Sequence, residues 1–158
     1  MQYILMVLGV LAITAADQIS KYLVVQNIPL GGEVPLIPGL VHLTYVQNTG
    51  AAFSMLEGAR WLFVVIFLVL TVAVVWDMVK KVMPFTLLER WLIVCIYAGG
   101  LGNIIDRVLL GYVVDMIEVE FVRFAVFNVA DCFITCGCIL LVLHLAFWNK
   151  EFWKEEKK

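Results

Sequence analysis

The chain has 158 residues, of which 63% are hydrophobic and 15% charged, and its net charge is −2. Soluble domains are nearer half apolar and a quarter charged, so this composition excludes an ordinary soluble domain and indicates a membrane protein. The charge leaves no basic surface for nucleic acid, and the length suits one domain over residues 1–158.

Four apolar segments follow one another, at about 3–25, 60–80, 87–109 and 130–149. A helix that crosses a bilayer needs about 20 apolar residues, and each segment approaches that length. We therefore expect an all-α membrane protein built as a bundle of four transmembrane helices. The first segment resembles a cleavable signal peptide, but no Lys or Arg precedes it and its apolar character resumes after Lys21, so we expect a retained helix.

Basic residues predict the orientation of the bundle. Lys80, Lys81 and Arg90 lie between the second and third segments, and the C-terminal tail carries four more lysines. Cytoplasmic loops are enriched in Lys and Arg, so we expect both regions, and hence both termini, to be cytoplasmic. The connections at about 26–59 and 110–129 are poorer in basic residues and are expected to face outward.

Both outward loops contain β-prone stretches. In the first loop, prolines and glycines predict turns before residues 40–46 (LVHLTYV), which alternate like a strand. Residues 112–126 (YVVDMIEVEFVRFAV) in the second loop have a similar character. We expect the two stretches to form a small extracytoplasmic β element, with apolar side chains such as Val119 and Phe121 at the membrane interface.

Ionisable residues interrupt the first segment, and such residues usually face a cavity or a partner. Asp17 and Lys21 are four residues apart, which places them on one helix face with the acid first, the favourable order. A local ion pair that eases insertion would explain them without any function. In that case Asp17→Ala should be more harmful than Lys21→Gln, because it leaves an ammonium ion in lipid without its partner.

A second polar cluster ends the third segment, in residues 98–107 (AGGLGNIIDR). The glycines allow another helix backbone to approach closely. Asn103 shares a helix face with Asp106 and Arg107, which follow it by three and four residues. An arginine that extends to the interface and is neutralised by its neighbour would explain Arg107, but it would not explain Asn103.

Two aspartates lie on the same outward side of the membrane. Asp115 has apolar neighbours, which favour its protonated form, although a solvated loop acid is the alternative. Asn128 is a good helix cap, and Asp131 at the third helical position complements the helix dipole, which favours its charge. Two acids that share a proton suit peptide hydrolysis, because one activates water while the other hydrogen-bonds the scissile carbonyl.

Other chemistries fit the sequence less well. Cys136 and Cys138 point about 200° apart on a helix, and no zinc-type ligand spacing is present, so we expect neither a metal nor an organic cofactor. His42 and His144 fall on opposite sides of the predicted membrane, which leaves no Ser-His-Asp set. The residues that invite a metal hypothesis are Cys95, Cys132, Cys136, Cys138 and His144.

Two functions other than proteolysis remain open. In a small transporter or channel the ionisable residues of the spans would form a relay, which requires such groups on both sides of the midplane. In a non-catalytic membrane subunit the β-prone loops would be a docking surface. The relay residues would be Asp17, Lys21, Asp106 and Arg107.

Five short motifs occur in order between the four segments, and together they resemble lipoprotein signal peptidase, also called signal peptidase II, over nearly the whole chain. The chain departs from the family at Met116, where an aromatic residue is common, and at Cys132, where a small hydroxyl residue is common. These departures affect packing and substrate preference and leave the aspartates in place. The motifs are DQISK (17–21), VQNTGAAFS (46–54), GGLGNIIDR (99–107), GYVVDMI (111–117) and FNVAD (127–131).

The resemblance implies a four-span aspartyl protease of the bacterial plasma membrane, active near the extracytoplasmic face. Its substrates would be prolipoproteins, cut just before a cysteine that carries diacylglycerol, with Asp115 and Asp131 as the catalytic pair. The β element would cradle the lipobox of the substrate, and globomycin-type inhibitors would block the pair. We expect a monomer surrounded by membrane lipid. The implied substrate-binding residues are Asn48, Gly50, Asn103, Arg107, Asn128 and Ala130, and the implied supporting residues are Asp17, Lys21, Gly102 and Asp106.

Overall fold

The structure, a computed structural model, describes residues 1–50 and 56–154. Residues 51–54 of the VQNTGAAFS motif and two tail lysines, Lys157 and Lys158, lie outside this description. The described helices are all long and apolar enough to cross a membrane, which confirms the prediction of four such helices. They are α1 (Gln2–Asn27), α2 (Arg60–Lys80), α3 (Leu87–Leu109) and α4 (Val129–Phe147).

Helix α3 lies at the centre of the bundle, because it packs against the other three helices. Its contact with α4 is close where glycines replace side chains. A Cβ at Gly99 would collide with the carbonyl of Ala130, and one at Gly137 would collide with Ile96. The glycine-rich end of the third segment therefore does allow a close helix approach, as the sequence predicted.

A small antiparallel sheet completes the fold, with strands in the order β1 (Glu33–Ile37), β2 (Val41–Asn48) and β3 (Val113–Val119). The prediction of strands in both outward loops is confirmed for β2 and β3. Strand β1 was missed, because its proline and the surrounding glycines suggested only turns. It is an edge strand, where the missing N–H of Pro35 can face away from the sheet.

The second loop forms less strand than its sequence predicted. Strand β3 ends at Val119, and residues 120–126 leave the sheet before Phe127 returns to pair with Ile117. The sheet rests on the end of α1, where Val24 and Ile28 pack with Val114 and Met116. Because side chains alternate along a strand, residue 115 points to the opposite face of the sheet.

The opposite end of the bundle is closed by a polar junction between α3 and α4. The carboxylate of Glu89, which is completely buried, accepts hydrogen bonds from Nδ1 of His144 at 2.8 Å and Nδ2 of Asn149 at 2.7 Å. The Thr86 capping box begins α3 at the same place. The junction fixes both helices at the end remote from the two aspartates.

Candidate active site

The structure brings Asp115 of β3 and Asp131 of α4 to the same residue, Asn128. Nδ2 of Asn128 donates to Oδ1 of Asp115 at 2.7 Å, and the Asn128 backbone N–H donates to Oδ2 of Asp131 at 3.1 Å. In return, the Asp131 N–H donates to Oδ1 of Asn128 at 3.0 Å, which completes the predicted capping box. One asparagine therefore holds both carboxylates.

Asp115 is buried, with 3% of its surface exposed, so the solvated loop acid is excluded. Its second oxygen, Oδ2, accepts a hydrogen bond from Nδ2 of Asn48 at 2.9 Å. Burial, together with the negative charge of Asp131, raises the pKa of Asp115 to about 6. The hydrogen bonds from Asn48 and Asn128 lower this pKa, but their effect is smaller. This carboxyl group therefore keeps a proton at a pH where an ordinary aspartate is ionised.

Asn103 on α3 orients the other aspartate. Its Nδ2 donates to Oδ1 of Asp131 at 2.8 Å, and its Oδ1 accepts from both Asn128 and the ammonium group of Lys21. Lysine can only donate, so its 2.9 Å contact fixes which end of the Asn103 amide faces Asp131. The amide therefore presents a donor to the Asp131 carboxylate.

Lys21 forms the predicted pair with Asp17, and this pair is part of a larger cluster that includes Asp106. The ammonium group lies 2.9 Å from Oδ2 of Asp17 and 2.9 Å from Oδ2 of Asp106, and all three residues are buried. Asp17 also accepts from the backbone N–H of Ala130 at 2.9 Å, and Asp106 accepts from that of Val114 at 3.1 Å. The cluster thus ties α1 and α3 to the beginning of α4 and to β3.

Arg107 is buried, which excludes the alternative of an arginine that extends to the membrane interface. Its guanidinium donates to the carbonyls of Gly50 at 2.7 Å and Asn103 at 3.3 Å and lies 4.4 Å from the ring centroid of Phe63. Consecutive residues of a helix point about 100° apart, which directs Asp106 to Lys21 and Arg107 to the first outward loop. The Gly50 N–H in turn donates to Oδ1 of Asn48 at 2.9 Å.

A cavity of about 510 Å³ opens over the two aspartates. Its polar wall contains the two acids with Asn48, Asn103 and Arg107, and its apolar wall includes residues 124–127 and the first turns of α4. The sequence does not reveal the apolar wall, because residues 120–126 have the pattern of a strand. A cavity with acids on one side and apolar side chains on the other can hold an apolar group of a ligand against the two acids.

Gln18 is a second residue that the sequence did not single out. Its Nε2 donates to Oδ1 of Asp106 at 2.9 Å and to the Gly102 carbonyl at 3.1 Å. Residues 14, 17, 18 and 21 are all polar, at the spacing of one helix face, and that stripe is the signal that would have identified it. Gln18 therefore belongs to the buried cluster around Lys21.

The chemistry available at this site is that of carboxylates and amides. Within residues 1–50 and 56–154, no three His, Cys, Asp or Glu side chains come together in a way that could hold a metal ion. Every buried side-chain nitrogen or oxygen in the same ranges has a hydrogen-bond partner. Such a fully bonded arrangement is rigid and suits proton transfer between fixed groups.

Gly102 lies against the carboxylate of Asp17, and a Cβ at this position would collide with it. We expect Gly102→Ala to destabilise the fold by about 1–3 kcal/mol, as overpacking does, and to lower activity because Asp17 holds the first turn of α4. Thermal melts in detergent measure the first effect. Gly100→Ala is the matched control, because its methyl group would meet only the movable ring of Phe67. Equal losses of stability and activity in the two variants would contradict a specific role for Gly102.

Comparison with known proteins places this site in a family. A family model described as signal peptidase (SPase) II matches residues 9–147. Proteins named lipoprotein signal peptidase from Streptococcus pyogenes serotypes M5 (strain Manfredo) and M18 (strain MGAS8232) are each 46% identical over 155 residues, with 96% of this chain and 95% of the relative covered. A bacterial membrane enzyme solved by the in meso method at 2.3 Å resolution is similar with a TM-score of 0.85 at 32% identity, covering 92% of this chain and 90% of that one. The chain therefore belongs to the signal peptidase II family.

Proposed function

We propose that this chain is an intramembrane aspartic endopeptidase that removes signal peptides from diacylglyceryl-modified prolipoproteins and cuts before the lipidated cysteine. The observation that carries the proposal is that Asp115 and Asp131, from separate elements, line one cavity and are bridged by Asn128. The name shared by the Streptococcus relatives supports the substrate class.

In the proposed reaction the two aspartates have different protonation states. Asp131, ionised at the helix N-terminus, takes a proton from water as the water oxygen attacks the scissile carbonyl carbon. Asp115, protonated, donates its proton to the carbonyl oxygen and gives a neutral tetrahedral diol. When the C–N bond breaks, Asp131 gives its proton to the departing amine and Asp115 recovers one from the diol. The cysteine with its lipid then carries a free amino terminus, and the pair returns to its starting state.

The surrounding residues have proposed roles that follow from their contacts. Asn48 and Asn128 would orient Asp115, and Asn103 would orient Asp131. Arg107 would hold the first outward loop over the cavity through Gly50. The supporting residues, which fix the positions of those groups, would be Asp17, Lys21, Gly102 and Asp106. Ala130, which the resemblance implied as substrate-binding, is completely buried and donates its N–H to Asp17, so we propose a supporting role for it as well.

The proposed setting is the bacterial plasma membrane, with the chain forming a single protease domain and both termini in the cytoplasm. The basic residues Lys80, Lys81 and Arg90 lie at the end of the bundle away from the two aspartates, which supports an active site near the extracytoplasmic face. The substrate would enter sideways from lipid, because its acyl chains are costly to expose to water, and its lipobox would lie against the β-cradle. Globomycin-type inhibitors would occupy the same cavity, and the protein would act as a monomer.

The competing transporter hypothesis is weakened by the spacing of polar groups along α3. Glu89 and Arg90 lie in the first turn of this helix, and its second polar cluster starts at Asn103. Residues 91–102 between them include no Asp, Glu, Lys, Arg or His. Twelve residues of helix span about 18 Å. A relay of ions or protons along the central helix would have to cross this gap without a charged side chain.

The proposal is tested by incubating the purified protein with a prolipoprotein peptide that carries diacylglycerol on its cysteine. We expect cleavage immediately before that cysteine and unchanged activity in a metal chelator. The same peptide with an unmodified cysteine is the control for the lipid requirement. Absence of cleavage under conditions where a purified Streptococcus relative cleaves would refute the proposal.

The pH dependence of cleavage follows from the environment of Asp115. Because burial raises the pKa of Asp115 to about 6, its proton is present below that pH and lost above it. We therefore expect kcat/KM to fall as pH rises through about 6 and to drop roughly tenfold between pH 7 and pH 8. A kcat/KM that instead rises through about pH 6 and levels off above pH 7 would show that Asp115 acts in its ionised form.

A further inference from the structure

A second cavity, of about 430 Å³, lies between α2, α3 and α4 at the end of the bundle away from the aspartates. Its α2 wall includes Leu70, Ala73 and Asp77, residues that share one face of the helix. The same face continues to the end of α2 at Lys80, beside Lys81, and both lysines are exposed. The lining of the cavity is mostly apolar, and Lys80 and Lys81, which flank it without lining it, form a basic rim.

The charge of this rim is not cancelled by Asp77. Oδ2 of Asp77 is already paired with Arg90 at 2.9 Å, and Oδ1 accepts from the backbone N–H of Met83 at 2.8 Å. The ammonium group of Lys80 lies 5.7 Å from the ring centroid of Trp76, a contact that leaves its N–H donors available. Lys80 and Lys81 thus add two positive charges beside the lining residues Trp76 and Val82.

The distance along α2 from Leu70, the first lining residue of this helix, to Lys80 corresponds to one leaflet of a bilayer. Leu70 and Lys80 are ten residues apart, which is about 15 Å along a helix. The hydrocarbon core of a bilayer is about 30 Å thick, so the distance equals one leaflet. A single acyl chain with its headgroup at the two lysines matches this distance.

We propose that this cavity binds an anionic phospholipid of the cytoplasmic leaflet, with an acyl chain between the helices and the headgroup on Lys80 and Lys81. Basic pockets between transmembrane helices on the cytoplasmic side bind anionic headgroups in this way. The hydrophobic helix of a signal peptide is the competing occupant, but its basic start would be repelled by the same two lysines. The inference uses the membrane orientation proposed above and does not depend on proteolysis.

The test measures binding to the purified full chain in detergent, by native mass spectrometry and thermal melts, with phosphatidylglycerol and phosphatidylcholine of identical acyl chains. Two lysines near a headgroup should favour phosphatidylglycerol by roughly 30-fold. The double variant Lys80→Gln, Lys81→Gln should abolish this preference, and Ala73→Trp, which fills the cavity, should weaken binding of both lipids. The double variant Lys150→Gln, Lys154→Gln removes two lysines of the C-terminal tail and should keep the preference.

Three results would overturn the proposal. The first is equal affinity of the protein for the two lipids. The second is an unchanged preference for phosphatidylglycerol in the Lys80→Gln, Lys81→Gln double variant. The third is that a synthetic signal-peptide helix displaces phosphatidylglycerol from the unmutated protein. Thermal melts without added lipid should be unchanged in these variants, which shows that they are folded, and cleavage of a lipidated prolipoprotein peptide in detergent should also be unaffected. Loss of lipid preference with intact cleavage therefore separates this site from the active site.

Discussion

Asparagine in place of Asp115 or Asp131 is expected to lower kcat by at least about a hundredfold, the usual contribution of a positioned acid or base. At Asp131 the substitution removes the group that accepts a proton from water. At Asp115 it removes the proton that stabilises the carbonyl oxygen, and it also places an amide where two donors, Asn48 and Asn128, already point. Both losses should appear in the turnover of a lipidated prolipoprotein peptide.

The control for these variants is Glu118→Gln, which changes a carboxylate on the same strand, outside the cavity over the aspartates. It should keep the wild-type rate. Thermal melts of all three variants separate loss of chemistry from loss of folding. Wild-type turnover in both aspartate variants would eliminate this pair as the catalytic group, and loss in only one of them would indicate a single general base.

Substitution of Lys21 by glutamine is expected to destabilise the fold by about 3–5 kcal/mol, because it leaves two buried carboxylates without a counter-charge. Asp17→Ala leaves Lys21 paired with Asp106, but the backbone N–H of Ala130 loses its acceptor. This loss should lower the free energy of unfolding by about 1–3 kcal/mol. The structure therefore reverses the ranking expected from a local ion pair, in which the aspartate substitution was the more harmful one.

Detergent melts of the two variants, with Lys150→Gln as an exposed-lysine control, measure this ranking. Lys21→Gln should have the lower melting temperature by several degrees, and its residual activity should fall because Asn103 loses the contact that orients it. A lower melting temperature for Asp17→Ala would mean that Asp106 does not share the charge of Lys21.

The helices and the pair of aspartates could be predicted from the sequence because their signals are local. Apolar length marks a membrane span, and the spacing of Asn128 and Asp131 marks a helix cap. Their chemical role required more, since no spacing relates Asp115 to Asp131. The outward topology and the motif resemblance placed them on one side of the membrane, and the contacts of Asn128 bring them to one residue.

The errors arose where a tertiary contact decides the outcome. Strand β1 has a weak local pattern and depends on pairing with β2, which its proline obscured. Adjacency in sequence suggests Asp106 as the partner of Arg107, whereas the helix directs the two side chains to different partners. Lys21 bridges two acids that are 89 positions apart along the chain, at 17 and 106, and no periodicity reveals such a pairing.

The claim that the two aspartates act as a coupled pair is tested most directly by following the carboxyl group of Asp115 with pH, by infrared or carbon-13 spectroscopy, in the natural chain and in Asp131→Asn. The pKa of Asp115 should be near 6 in the natural chain. In Asp131→Asn it should fall, because the neighbouring negative charge is gone, but stay above that of an exposed aspartate, because burial is the larger cause. An identical titration in both proteins would mean that the two acids do not sense each other, and the paired mechanism would be wrong.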